Sequence, residues 1–312
     1  MALNPGGQVD LAGDTPDLSR RTAAKSAGSN HGDIMKLALF GAFSAIAIAC
    51  ASHAAAATDS TVLSGYVDAD YAYMNVHASG LGSANVNTWG GKGAVAFPIS
   101  GNWGAQLDAT VNNFDAGHGL GSETVGTPTG HVFYRNDKWL AGAFGGAEIA
   151  NHVDLAGGGL EGQLYPDKNY LIDAGVAYGQ ITQGNGIDLW GARLNGKGFI
   201  TPNLSVDAGV NYVNLHASGA SADLWTEHLG GEYKLDTLPV SFTLAYERGD
   251  VTRLKVSSDT VLVGVRWTFG GGSLRDRDTH GASLPNFTQT FGGDAGQSLV
   301  AATADALGYL YY

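Results

Sequence analysis

Charge is scarce in this chain. Only 15% of its 312 residues are Asp, Glu, Lys or Arg, and the acids outnumber the bases 29 to 17. A net charge of −12 argues against nucleic acid as a partner. Cysteine is nearly missing. The single Cys50 lies in a segment with the pattern of a removable leader, so the mature chain has neither a disulfide nor thiol chemistry. After residue 57 no window of 18 apolar residues occurs, and no membrane-spanning helix is predicted there. What is abundant is glycine, 47 residues, alongside 44% hydrophobic residues. That mixture suits neither disorder nor a helical bundle. Sheets with one face toward lipid and one toward water average to such a mean hydropathy, −0.04.

Met35-Lys36 followed by LALFGAFSAIAIACAS and HAAAA has a charged start, a short apolar core and small residues at a cleavage site. Residues 35–57 are therefore read as a secretory signal peptide, and residues 1–34 as an upstream extension. Ala47-Ile48-Ala49 before Cys50 is a poor lipid-attachment signal.

From Thr58 the chain alternates with period two almost continuously, which predicts strands. About twelve are counted: 62–77, 86–97, 103–115, 129–135, 138–149, 153–165, 169–181, 186–200, 203–216, 223–236, 238–249 and 256–269. Tight Pro, Asn, Asp and Gly turns at 98–102, 135–138, 166–169, 201–203 and 236–239 alternate with mostly longer glycine-rich links. Hairpins repeat. Asp173–Tyr178 (DAGVAY) recurs as Asp207–Tyr212 (DAGVNY) after 34 residues, and Asp188-Leu189-Trp190 as Asp223-Leu224-Trp225 after 35. The predicted fold is all-β, a transmembrane up-and-down antiparallel β-barrel occupying residues 58–269.

One parity of these strands is greasy: Leu204, Val206, Ala208, Val210 and Tyr212 in one strand, Tyr170 to Tyr178 in another, Val240 to Tyr246 in a third. It is assigned to outer-membrane lipid. Trp89, Trp190 and Trp225 near the loops, and Phe97, Trp103, Tyr165, Tyr170, Trp267 and Phe269 near the turns, are assigned to two aromatic girdles. The opposite parity carries the charges. Asp68, Asp70, Asp108, Glu161, Asp173, Arg193, Lys197, Asp207, Glu232 and Arg266 are predicted to line the lumen, most of them at similar depth. Arg193 is expected between Asp173 and Asp207, and Arg266 near Glu247, Asp68 and Asp70, because a confined charge must be paired. Such a belt reads either as a cation-preferring constriction or as a salt-bridge network that plugs the barrel.

Val256–Phe269 (VSSDTVLVGVRWTF) resembles the closing strand of bacterial outer-membrane β-barrels, and the chain resembles porin-like proteins of Gram-negative bacteria over about two-thirds of its length. In that family the terminal Phe is usually the last residue; here residues 270–312 come after it. The resemblance implies an outer-membrane location with both barrel termini periplasmic. It also implies an assembly signal of Val265, Trp267 and Phe269 read by the barrel-assembly machinery, and passive diffusion of small hydrophilic solutes or ions. A structural or surface-display barrel with a plugged lumen is the alternative, and an outer-membrane hydrolase a weaker one.

Little chemistry is legible. His77, His118, His152 and His216 sit near predicted loop ends without metal-ligand spacing, and His131 and His228 could reach the lumen. Ser79 beside His77 and Ser218 beside His216 lack an evident acid. No catalytic residue, metal or cofactor is expected. Residues 270–312 are read as a periplasmic tail, a mobile extension for want of a core of its own. Arg275, Asp276, Arg277 and Asp278 alternate in sign, and Ser298 to Tyr312 is apolar enough to form a short helix or dock, so a periplasmic plug or a partner-binding segment is the other reading of this tail.

Overall fold

The computed structural model describes residues 63–309 except 81, 116–121, 151–153, 182–185 and 218. The upstream extension, the leader with Cys50, and also His118, His152 and Ser218 lie outside the described residues.

Alternation becomes strand throughout. The order is β1 Ser64–Ala78, β2 Gly82–Ser100, β3 Trp103–Asp115, β4 Ser122–Arg135, β5 Trp139–Ile149, β6 Asp154–Asp167, β7 Tyr170–Ile181, β8 Ile187–Thr201, β9 Leu204–Ala217, β10 Ala220–Lys234, β11 Val240–Val251 and β12 Val256–Phe269. Each strand pairs antiparallel with its chain neighbours. β1 pairs with β12 from Gly65 opposite Phe269 to Ala78 opposite Val256, which closes the barrel and leaves no open sheet edge. At the turn-side rim the register shifts at Pro98–Ser100, Leu164–Asp167 and Phe199–Thr201. Such bulges concentrate local twist where a barrel needs it.

Strands reach further into the loops than the glycine and proline punctuation suggested. β4 starts at Ser122, not 129, and β2 at Gly82, not 86. Pro128, which has no N–H to donate, sits where the β4–β5 pairing skips from Gly126 to Thr129.

The outer face is apolar as expected. Leu160, Val176, Leu194, Leu229, Leu244 and Val263 are all exposed on it. So are Trp89, Trp190 and Trp225 toward the loops and Trp103, Tyr170 and Trp267 toward the turns. A water-soluble barrel would not carry so continuous an apolar belt. Two girdle assignments need correction. Tyr165 points inward, buried with Phe133, Leu140, Leu171 and Phe199, because it shares the parity of Glu161 and Gln163. Phe269 keeps the outward parity but is only 7% exposed, since its ring covers Gly65 on the paired strand, where a Cβ would stand 2.3 Å from it.

The largest departure is the segment after β12. Gly270, Gly271 and Gly272 all have positive φ (92°, 79° and 84°), a run only glycine accommodates readily. A Cβ on Gly270 would stand 2.7 Å from the Ser64 Cα. The three residues reverse the chain at the turn-side rim. Three helices come next: α1 Leu274–His280, α2 Phe287–Thr290 and α3 Gly293–Tyr309. Ser273 caps α1 in a reciprocal box with Asp276. This segment is not a mobile extension. Leu274, Leu284, Phe287, Phe291 and Leu299 are each at most 2% exposed, packed against inward-facing strand residues. The core it uses is the barrel's, which is why the want of a core of its own does not leave it mobile.

Candidate functional site

The lumen is built in three tiers, each with its share of the inserted segment. At the turn side, Leu274 and Leu284 complete an apolar layer with Phe133, Leu140, Tyr165, Leu171 and Phe199. Backbone and side-chain bonds fix this entry: Arg275 N–H donates to the Pro202 carbonyl at 3.0 Å, and Arg135 donates to the Gly281 carbonyl at 2.9 Å and the Ser283 hydroxyl at 3.0 Å.

The middle tier is the charged belt. All ten predicted lumen residues belong to the inward parity, and six of them, Asp68, Asp108, Glu161, Asp173, Arg193 and Glu232, are fully buried. The pairings match those expected in part: Arg193 meets Asp173 and Arg266 meets Asp68, while the other expected partners are taken elsewhere. Arg193 binds Asp173 at 2.8 Å and Glu161 at 3.3 Å, not Asp207, and donates to the Thr290 hydroxyl of α2. Asp207 is taken by His228, whose other ring nitrogen stands 3.6 Å from Glu247, and it lies directly opposite Lys197 on the ladder. Arg266 binds Asp68, its partner across the β1–β12 seam, at 2.6 Å, and Glu232 at 2.9 Å. It does not reach Glu247, which lies opposite Thr260, several rows nearer the loops. Lys92 pairs with Asp70 at 3.1 Å. His131 sits between Asp108 at 2.9 Å and Glu161 at 2.6 Å.

What sequence reasoning missed is that the inserted segment belongs to this network. Arg277 binds Glu232 with both terminal nitrogens, at 2.7 and 2.9 Å, a forked contact that fixes direction as well as charge. Asp278 accepts from Lys197 at 2.8 Å and pairs with Arg277 at 2.6 Å. The tail motif Arg275-Asp276-Arg277-Asp278 carried the signal, since alternating charges had to find partners. Between wall and segment lies a polar cavity of about 230 Å³, bordered by Asp108, Lys197, Asp207, Arg266, Arg277 and Asp278 among others.

Toward the loops the interior turns apolar again. Ile181, Ile187, Leu189, Val213, Leu215, Leu224 and Val251 enclose Phe287, Phe291, Leu299 and Val300. Glycines make the room. A Cβ on Gly146 would stand 2.7 Å from the Phe287 Cβ, one on Gly191 2.5 Å from the Thr290 carbonyl oxygen, and one on Gly249 2.4 Å from Leu299. Inward glycines on β5, β8 and β11 thus form a cradle shaped to the segment. Phe287 N–H donates to the Thr129 hydroxyl at 3.0 Å, and Asn286 donates to Thr110 at 2.8 Å.

His131 and His228 belong to the belt, whereas the loop-end histidines His77 and His216 lie elsewhere. His77 Nδ1 stands 3.0 Å from the Ser83 hydroxyl on the exposed loop-side rim, with Ser257 as its neighbour on the other flanking strand. His216 lies between Asp188 and Ser221 on the ladder, but Asp188 accepts from Tyr178 at 2.6 Å and Gln180 at 3.1 Å. Among the described residues no group of three or more His, Cys, Asp or Glu could hold a metal ion.

No protein-family profile matches the sequence. No curated protein matches it either. Solved structures do match in shape. The chain is similar to an outer-membrane channel from Pseudomonas putida F1, with TM-score 0.54 and 11% identity over 68% of this chain and 97% of that one. The translocator domain of the autotransporter NalP from Neisseria meningitidis aligns with TM-score 0.46 and 11% identity over 79% and 98%. The KdgM porin aligns with TM-score 0.44 and 12% identity over 65% and 99%. Closure of twelve strands, the apolar outer belt and the likeness to the Pseudomonas channel give the chain the fold of a porin-like outer-membrane β-barrel.

Proposed function

We propose that the protein is an outer-membrane channel for small hydrophilic solutes or ions, closed in the state described here by its own segment after β12. The observation that carries this reading is the way the lumen is filled. Its bore is occupied by a separate stretch of chain resting on glycines, and not by wall side chains alone. If that stretch withdraws, a passage lined by charged groups remains. Acids among the inward residues outnumber Lys and Arg, so the open passage favours cations: among the described residues Asp108, Glu148 and Asp207 have no Lys or Arg within salt-bridge distance. The outer membrane is the location the apolar belt and girdles suit, with the short-turn side and the barrel termini toward the periplasm.

Planar-bilayer recording of the refolded protein in a salt gradient tests this. Infrequent steps with a cation-selective reversal potential are expected, and Asp173→Asn with Asp207→Asn should weaken the selectivity. Arg277→Ala removes the forked anchor on Glu232 and should raise the open fraction. A barrel verified as folded that stays silent in both forms contradicts the channel reading. It would favour the second one, a permanently plugged structural or display barrel, for which the near-complete burial of Phe287 and Leu299 speaks.

A further inference from the structure

The inserted segment meets the wall at successively different heights. Leu274 N–H binds the Asn203 side chain in the β8–β9 turn, at the turn-side rim. Leu284 N–H then binds Gln106, near the start of β3. Phe287 and Thr290 rest on Gly146 and Gly191, in the middle and upper parts of β5 and β8. Asn112 donates to Gln297 at 3.3 Å, and Leu299 packs over Gly249, two residues before the loop-side end of β11. Thr303 is still buried, and α3 continues to Tyr309. The six further residues add about 9 Å of helix at ~1.5 Å per residue.

Helix α1 reaches inward to Glu232 and Lys197, and the chain returns to the turn-side rim where the Gly281 carbonyl meets Arg135. From Leu284 onward the contacts climb in chain order, so the segment crosses the lumen and does not fold back out. We infer that residues 274–303 are a thirteenth crossing of the barrel, and that residues 304–309, the end of α3, are delivered to the loop-side mouth, opposite the mouth where β1 begins. An even number of strands returns a chain to the side it started from; this protein adds one crossing through its own lumen and so presents residues 304–309 on the other side. The inference concerns topology and stands whether or not the lumen conducts.

The packing makes the crossing specific. Two apolar layers sandwich a charged belt, and each has its partner on the segment: Leu274 and Leu284 below, Arg277 and Asp278 in the belt, Phe287, Phe291 and Leu299 above. Sliding the segment or reversing its direction would set Arg277 against the apolar layer and leave Glu232 without its fork, an arrangement low dielectric penalises.

The test is cysteine labelling of the full chain in intact Gram-negative cells, in a Cys50→Ser background, with a membrane-impermeant maleimide. Ser79→Cys reports the loop side and Asp137→Cys the turn side. Asp305→Cys and Leu307→Cys report the segment's end, and only the heat-modifiable form is scored. Both should label under the conditions that label Ser79→Cys, with signal lost under those that label only Asp137→Cys. Labelling together with Asp137→Cys, or from neither side until the protein is unfolded, overturns the inference.

Discussion

At the scale of single residues, glycine decides where the inserted segment can lie. A period-two pattern shows which way Gly146, Gly191 and Gly249 face, but a glycine's purpose is visible only in what approaches it. Gly191→Val is expected to displace α2 by collision with the Thr290 carbonyl while leaving the wall intact. Limited proteolysis should then cleave at Arg275 or Arg277 under conditions where the unaltered protein resists, with heat-modifiable gel mobility unchanged. Equal resistance would contradict the cradle. Parity alone separates the charged residues from the greasy face. Their partners were legible only in part, Asp173 for Arg193 and Asp68 for Arg266, because reach across two or three strands depends on rotamer and on what the centre of the lumen holds. Arg193 turned to Glu161 and Thr290, and Arg277 entered the belt from outside the strand pattern.

At the scale of elements, the internal repeat has a physical meaning. In the hairpins β7–β8, β9–β10 and β11–β12 a Tyr hydroxyl donates across to an Asp: Tyr178 to Asp188, Tyr212 to Asp223 and Tyr246 to Asp259. Each clamp sits on the outer face near the loops. Tyr212 also lies between Trp190 and Trp225, with ring centroids at 4.9 and 4.8 Å. The repeated motif thus preserves a girdle as well as a fold unit. Tyr212→Phe keeps the ring stack and loses the clamp. A stability loss of at most about 1 kcal/mol is expected for so exposed a bond, against a larger loss for Tyr212→Ala, read from urea unfolding in detergent micelles. Equal losses would mean that the hydroxyl, not the ring, holds the hairpin. Strand number and most boundaries were readable because alternation is strong where one face meets lipid and the other a polar lumen. They failed where strands run on beyond the lipid, as in β4, since there neither face imposes a pattern.

At the scale of the whole molecule, the barrel is an incomplete object without residues 273–303. Its loop-side interior is lined by Ile181, Leu189, Val213, Leu215 and Leu224, which would face water in an empty bore. Covering them stabilises the docked state, by roughly 1.5–3 kcal/mol for each large apolar side chain fully buried. The intact protein should therefore migrate faster unboiled than boiled on a detergent gel. The same migration before and after boiling, once refolding is verified, would count against a closed barrel. The tail alone showed this docking only in part, through the alternating charges of Arg275, Asp276, Arg277 and Asp278 and the apolar run from Ser298, because the surface they meet is supplied by the barrel.

A covalent lock tests the closed-channel account most directly. Gly146→Cys with Phe287→Cys brings two Cβ positions together that stand 2.7 Å apart in the docked state. An opening of about 1 Å reaches the 3.5–4.5 Å that a disulfide spans. Single-channel conductance would be recorded on one refolded preparation, oxidised and then reduced. The account predicts silence when oxidised and cation-selective steps after reduction. Steps of equal size and frequency in the oxidised form, with the disulfide confirmed, would contradict it.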